Sequence, residues 1–327
     1  MDYSVFLKNQ PNVVRLFNNT INKNRLVHTY LFEGAKGTKK LDGAYYLASM
    51  ILCSGDTLPC LECSECLKVS NKTHPNVFYI EPIGDVIKKE QITNLEHEFS
   101  MTALSGSKRV FIINGIDKCN TQSANSLLKF LEEANENCYG ILITENLNAV
   151  IPTIISRSQV VHFKKVSKEI IESSLVNDGV DLKISKILSN ITNDVDEAKS
   201  IISEGLLLDI IDGVKLIGKS IICGDNSYLV YIDTLRDLLK DKKEYNLVFL
   251  NILGLFLNDC IHKSIYDETN IIFTDEVNEI SEYISSDYND NVKMLEIILK
   301  YKERLRYNIN IELMYCQMFI ELGGLNG

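Results

Sequence analysis

The segment at residues 30–41 constrains the fold of this chain more than any other part of the sequence. Residues 30–32 form a short apolar run, a glycine-containing loop follows, and apolar residues then recur at helical spacing from Ala44 to Ile51. A buried strand, a glycine-rich loop and a helix in this order are the context that a phosphate-binding loop requires. The segment therefore predicts an α/β fold.

The loop itself departs from the phosphate-binding pattern G-x-x-x-x-G-K-S/T at two positions. Gly34 and Lys40 match the first glycine and the lysine, and Gly37 lies between them, but Lys39 replaces the second glycine and Leu41 the hydroxyl residue. A lysine adds a side chain where the backbone must wrap closely around phosphates, often at positive φ. Leucine cannot ligate magnesium. We therefore expect weak or absent nucleotide binding at Gly34, Gly37 and Lys40.

An apolar strand at residues 108–113 should carry the second acidic element of an ATPase. Asn114 stands where a metal-associated carboxylate is needed, and Gly115 stands where an acid would polarise the attacking water. Phosphoryl transfer depends almost entirely on positioning and charge neutralisation, so these losses predict an ATPase fold without hydrolysis. Asp117 lies three residues beyond Asn114, and we expect it to cap the following helix.

Four of the nine cysteines cluster at Cys53, Cys60, Cys63 and Cys66. Two overlapping Cys-x-x-Cys spacings plus a fourth thiol give four soft ligands, which suit a closed, tetrahedral, structural Zn²⁺ site. The surrounding segment is polar and too small to bury a core without a metal. The alternatives are four reduced thiols or a redox pair, and His74 is a less favoured substitute ligand.

Charge and hydropathy limit the classes of protein to which the chain can belong. The formal net charge of -10 argues against a nucleic-acid binder that works by charge alone. The sequence contains no long uncharged apolar run and no signal peptide. We expect a cytoplasmic protein without a membrane partner.

The chain is expected to form three parts. In residues 1–165, apolar strands alternate with helical stretches, which predicts a parallel sheet flanked by helices, with a zinc module inserted at about 53–70. Residues 166–206 are expected to form a small helical lid. Residues 207–327 keep helical spacing with almost no strand pattern, which predicts an all-α domain.

One helical motif resembles a known family. Residues 124–133 closely resemble the A-N-A-L-L-K-x-L-E-E helix of bacterial DNA polymerase III clamp-loader subunits, and they follow the degenerate acidic strand as they do there. Further matches run along essentially the whole chain, at residues 26–32, 53–66, 74–76, 89–92, 154–158 and 304–313. The resemblance implies an AAA+ (P-loop NTPase-like) core, a lid, and a collar that packs into a ring of five subunits.

Within that family the choice lies between the ATP-hydrolysing motor subunit (gamma/tau) and delta-prime, a stator. The motor requires an intact phosphate loop and an Asp-Glu pair, and this sequence departs from both at Lys39, Leu41, Asn114 and Gly115. Asp196 stands where the family's lid carries a phosphate-sensing arginine. A carboxylate repels phosphates, so the resemblance favours the stator and no intrinsic ATPase activity.

The resemblance also implies catalysis in trans. Residues 156–158, Ser-Arg-Ser, are similar to the family's S-R-C motif, whose arginine projects toward the ATP of the adjacent subunit, so Arg157 is the expected arginine finger. Thr144 or Glu145 lies where the family has sensor 1, and a structural role is favoured for both.

The partners implied are the motor (gamma/tau) and delta subunits in a pentameric ring, with primed DNA and the sliding clamp reached through that complex, as part of DNA polymerase III holoenzyme. Two alternatives differ in class. One is an ATPase motor with an unusual phosphate loop, and the other is a zinc-dependent DNA-binding module, which the lack of an adjoining aromatic and basic patch disfavours.

Overall fold

The computed structural model describes residues 1–101, 107–133, 137–240, 242–265, 271–285, 288–305, 307 and 309–324. They divide into two compact units, Met1–Ile170 and Ile171–Gly327. The second unit takes in most of the predicted lid as well as the predicted collar, so the division of the chain into three parts stays a prediction.

The first unit is built on a five-stranded sheet in which every neighbouring pair is parallel, in the order β2-β3-β4-β1-β5. The predicted parallel sheet is therefore confirmed, and the strands expected at residues 30–32 and 108–113 are present with each bound shifted by one residue. The strands are β1 (Thr29–Glu33), β2 (Val77–Ile80), β3 (Arg109–Asn114), β4 (Cys138–Thr144) and β5 (Gln159–His162).

Helices cover both faces of this sheet. Successive residues of a strand point to opposite sides, so a continuous apolar strand places apolar side chains on both faces, and each face must be buried. Phe32 of β1 belongs to one buried cluster and Leu31 to the other. Gly140 of β4 allows the close approach of Phe111, because a Cβ there would lie 2.3 Å from the phenyl ring. The helices are α1 (Ser4–Asn9), α2 (Pro11–Asn22), α3 (Lys40–Leu52), α4 (Ser64–Ser70), α5 (Lys89–Met101), α6 (Thr121–Glu133) and α7 (Pro152–Ser156).

In the second unit the described residues are helical, with no strand among them, as the sequence predicts. The longest helix packs against at least five others, and its Phe249, Leu253 and Phe256 side chains are fully buried. Among the described residues, none of the helices combines the length and apolar character that crossing a bilayer needs. The remaining helices, of which the first crosses the unit boundary, are α8 (Lys168–Asn177), α9 (Leu182–Ile191), α10 (Val195–Ser203), α11 (Leu207–Cys223), α12 (Ser227–Thr234), α13 (Arg236–Leu239), α14 (Lys243–Ser264), α15 (Thr274–Glu279), α16 (Tyr288–Arg304) and α17 (Ile311–Gly323).

Candidate functional site

The phosphate-type loop connects β1 to α3 and keeps the backbone shape of its class. Gly37 has φ 80°, and Lys39 has φ 63° at the position where the pattern calls for glycine. A non-glycine residue in this left-handed region costs roughly 1–2 kcal/mol, so the fold tolerates strain at Lys39. Gly34 is held tightly as well, since a Cβ there would lie 2.7 Å from the carbonyl oxygen of Phe163.

The Lys40 side chain points into this loop. Its Nζ donates to the carbonyl oxygens of Gly34 and Ala35, both at 2.6 Å, and to Thr38 Oγ1 at 3.2 Å. Only 6% of Lys40 is exposed. An ammonium group has three donors, and the loop satisfies all three. A bound phosphate would therefore have to displace bonds that the loop already makes with its own lysine.

Gln10, at the start of α2, ties the loop to the end of the sheet. Its Nε2 donates to the carbonyl oxygens of Thr38 at 3.2 Å and Lys164 at 2.6 Å, and its Oε1 accepts from the Lys164 backbone N–H at 3.1 Å. Gln10 is 2% exposed. Sequence reasoning missed this residue, because nothing in the local pattern links positions so far apart along the chain.

The two other altered positions serve the fold. Leu41 is half-buried and packs against the core cluster that contains Phe32. Asn114, at the end of β3, donates from Nδ2 to the Tyr79 hydroxyl at 3.2 Å. Burial raises the pKa of Tyr79 to about 12, so this phenol stays neutral at physiological pH. Neither position offers a carboxylate or hydroxyl to a metal ion.

Asp117 does not cap the helix that follows it, contrary to the sequence prediction. Its Oδ1 accepts a hydrogen bond from Thr144 Oγ1 at 2.8 Å, which joins the segment after β3 to the end of β4. Asn120 takes the capping role instead, because its Oδ1 accepts from the Ser123 backbone N–H at 2.9 Å. Asp117, Thr144 and Glu145 line a cleft of about 140 Å³ together with Asn114 and Gly115.

The four clustered cysteines come together in space. The sulfur atoms of Cys53, Cys60, Cys63 and Cys66 all lie within 4.8 Å of one another. The Cys53–Cys60 separation is 3.5 Å, and the Cys53–Cys63 and Cys60–Cys66 separations are 4.0 Å. Four thiolates placed about 2.3 Å from a tetrahedral metal would be about 3.8 Å apart. The cluster can therefore hold a metal ion.

Backbone amides surround these sulfurs in the way that stabilises thiolates. The N–H groups of Gly55, Cys63 and Cys66 donate to Cys53, Cys60 and Cys63 Sγ at 3.3, 3.3 and 3.4 Å respectively. The bond from the Cys66 N–H lowers the pKa of Cys63 to about 5. Burial raises the pKa of Cys66. The cluster thus favours a thiolate at one of its four positions before any metal binds.

His74 lies outside the sulfur cluster and has a different role. Its Nδ1 accepts from the Asn76 backbone N–H at 3.0 Å, so Nε2 carries the proton and donates to Glu65 Oε2 at 2.7 Å. Glu65 lies between Cys63 and Cys66, and bonds from Lys68, Ser64 and His74 lower its pKa to about 2. His74 therefore joins the segment between Cys63 and Cys66 to the chain before β2. The alternative in which His74 is a substitute metal ligand is wrong.

Arg157 follows α7 directly and is a surface residue. Its side chain is 44% exposed, and Nη2 donates to Glu132 Oε1 at 2.6 Å. The preceding residues form the short helix α7. Asp196 lies in the first turn of α10, in the second unit. No ligand geometry tests the roles predicted for Arg157 and Asp196, so both stay predictions.

A parallel sheet in this order, with a phosphate-type loop after the interior strand β1 and a helical C-terminal unit, defines an AAA+-like core. The family described as "DNA polymerase III, delta subunit" matches residues 9–167. DNA polymerase III subunit delta' of Bacillus subtilis (strain 168) is 34% identical over 308 residues, which cover 93% of each chain. The chain belongs to the DNA polymerase III delta' subunit family.

Two further comparisons show more distant likeness. DNA polymerase III subunit tau of Bacillus subtilis (strain 168) is 28% identical over 50% of this chain and 29% of that protein. A solved structure, that of a DNA polymerase III gamma subunit-related protein from Thermotoga maritima, is 15% identical, covers 95% of this chain and 99% of its own, and has a TM-score of 0.47.

Proposed function

We propose that this chain is a non-hydrolysing stator in a bacterial clamp loader. It would assemble with gamma/tau motor subunits and delta in a ring of five, which loads the sliding clamp onto primed DNA. Membership of the delta' family supports the clamp-loader role.

The loop chemistry supports the absence of hydrolysis at the chain's own site. The Lys40 ammonium is bound by Gly34, Ala35 and Thr38. Leu41 and Asn114 provide no oxygen anion for Mg²⁺, and without a positioned metal the phosphates lose most of their charge neutralisation. This chain therefore depends on a neighbouring subunit for any ATP turnover.

Arg157 would act on that neighbour's ATP. The observation that carries this proposal is the exposed guanidinium, which lies at the surface with 44% of the side chain accessible. A guanidinium can donate two parallel bonds to phosphate oxygens and neutralise the charge that develops on the γ-phosphoryl group. The role requires a site built from two chains, with this chain supplying the arginine.

The cysteine cluster would hold one structural Zn²⁺. The ligands would be Cys53, Cys60, Cys63 and Cys66, whose sulfurs are spaced as a tetrahedral ion requires. Four protein ligands complete the coordination of zinc, so the ion would fix residues 53–66 and take no part in turnover.

The test is a reconstitution with the intact motor subunit, delta, clamp and primed DNA. The isolated chain should show no Mg²⁺-dependent ATP hydrolysis. Rings that contain Arg157→Ala should assemble normally but lose part of the DNA- and clamp-stimulated rate, because other motor sites keep their own fingers. Arg157→Lys should rescue poorly, since an ammonium lacks the planar fork.

The matched control is Arg15→Ala, which removes an exposed arginine from α2 of the same unit. It should leave the stimulated rate unchanged. Equal rates for wild-type and Arg157→Ala rings, at equal assembly by sizing chromatography, would contradict the finger assignment. A turnover near 1 per second by the isolated chain would contradict the non-hydrolysing role.

A further inference from the structure

Glu132 and Arg157 form an ion pair, and neither residue belongs to the phosphate-type loop at residues 34–41. The Nη2–Oε1 distance is 2.6 Å across 25 residues of sequence. Glu132 belongs to α6, and its side chain is 53% exposed. The pair therefore lies at the surface and joins the end of α6 to the residue that follows α7.

The backbones at both ends of this pair are held by one apolar core. Ile154 of α7 is 1% exposed, and Leu127 and Phe130 of α6 are 0% and 8% exposed, all within the same cluster. The Arg157 backbone N–H also donates to the Ile154 carbonyl oxygen at 3.2 Å. The backbone positions of Glu132 and Arg157 are thus fixed, and only the rotamers of the two side chains can vary.

An arginine side chain has roughly 2 kcal/mol of rotamer entropy, so a fixed backbone alone does not aim the guanidinium. Thr153 adds little, because its carbonyl oxygen lies 3.4 Å from Nη1. Glu132 is the partner that supplies a charged, short hydrogen bond. It thereby selects the Arg157 rotamers in which Nη2 faces α6.

We infer that Glu132 is a positioning residue for Arg157, an inference that rests on the proposed function of Arg157 as a finger in trans. The carboxylate engages Nη2 through a single oxygen, which leaves further N–H donors of the guanidinium for phosphoryl oxygens. An exposed pair of this kind contributes about 0.2–1 kcal/mol. That is enough to bias rotamers and too little to withhold the guanidinium from a triphosphate.

Glu133 provides a matched control. It is the next residue of α6, is also exposed, and forms no ion pair with any residue that the structure describes. Glu133→Gln removes the same charge from the same helix end as Glu132→Gln. A long-range effect of net charge on assembly or on ATP binding would appear in both variants. An effect on the position of the Arg157 guanidinium would appear only in Glu132→Gln.

The experiment measures stimulated ATPase in rings reconstituted with wild type, Glu132→Gln, Glu133→Gln, Arg157→Ala and the double variant Glu132→Gln/Arg157→Ala. Glu132→Gln should lower the Arg157-dependent part of kcat about two- to fivefold with little change in KM for ATP. Glu133→Gln should match wild type. The double variant should match Arg157→Ala, because a positioning residue has no effect once its target is gone.

A measurement on the full free chain is independent of the motor. The side-chain NMR signals of Arg157 should show hindered guanidinium rotation in wild type and in Glu133→Gln, and faster rotation in Glu132→Gln. A Glu132→Gln rate equal to or above wild type, with Arg157→Ala still slow, would overturn the inference and leave the finger intact. If rings with Arg157→Ala hydrolyse ATP at the wild-type rate, the proposed role of Arg157 as a finger is itself wrong.

Discussion

The contacts of Lys40 predict that this lysine stabilises the fold without nucleotide. The variant to make is Lys40→Met, which keeps most of the apolar stem and removes the ammonium. It would leave the buried Gly34 carbonyl oxygen without its 2.6 Å donor, and would take one donor from Ala35 and one from Thr38. Thr38 Oγ1 still donates to the Ala35 carbonyl oxygen at 2.8 Å, so that acceptor keeps a partner.

The magnitude follows from these acceptors. A buried acceptor left without a donor costs about 1–3 kcal/mol, and hydrogen bonds to charged groups contribute about 1.5–3 kcal/mol each. Removal of a buried ammonium relieves a desolvation penalty that offsets part of this loss. We expect a net loss of about 2 kcal/mol of unfolding free energy. A lysine whose only role was to bind phosphate would show almost no loss in the absence of nucleotide.

The assay is urea unfolding followed by circular dichroism, with hydrogen–deuterium exchange to locate the change at residues 34–41. Lys36→Met is the control, because Lys36 is an exposed lysine of the same loop, and surface changes typically stay within about 0.5 kcal/mol. A Lys40→Met protein as stable as the control would refute the reasoning.

The remaining predictions concern the metal and pH. Freshly purified protein should contain one zinc per chain, and Cys60→Ser should lose it and open the segment to proteolysis, whereas Cys223→Ser, outside the cluster, should keep it; elemental analysis decides. Burial raises the pKa of Asp259 from 3.8 to about 6, even though the backbone N–H groups of Ile272 and Phe273 donate to its Oδ2 at 2.9 and 2.8 Å. Its contribution to stability is therefore fully present below about pH 4 and is lost as pH rises through about 6. Asp259→Asn should raise unfolding free energy at pH 7.5 by no more than about 3 kcal/mol and little at pH 4, and unfolding curves in which the gain is independent of pH would argue against this.

The sheet could be predicted from sequence because its strands are continuous apolar runs, buried on both faces by helices. The cysteine cluster could be predicted because its ligands are close along the chain. Both signals are local. The helical C-terminal unit was predictable as a class, but its packing faces were less so. Leu247 and Leu299 continue the apolar spacing of α14 and α16, yet they are 42% and 49% exposed.

The contacts that set the chemistry of the site are long-range and were not predictable. The sequence placed Lys40 in a phosphate-binding pattern, but only the folded loop shows that the ammonium turns inward. Gln10 reaches Lys164, 154 residues away along the chain, and Glu132 of α6 reaches Arg157, 25 residues away. A side chain's partner depends on where two backbones meet, and the hydropathy pattern does not encode that position.

The residue type found at each position of the former nucleotide site can be explained by what its side chain contacts when no nucleotide is bound. A hydroxyl at position 41 and a carboxylate at position 114 would act only on a metal ion. Leu41 instead packs against the core, and Asn114 bonds Tyr79, so both side chains now stabilise the fold. Lys40 differs, because its ammonium satisfies loop carbonyls when no phosphate is bound. A loop can therefore keep its lysine and its shape after its metal-binding groups are gone, and a lysine in such a loop is weak evidence for ATP hydrolysis.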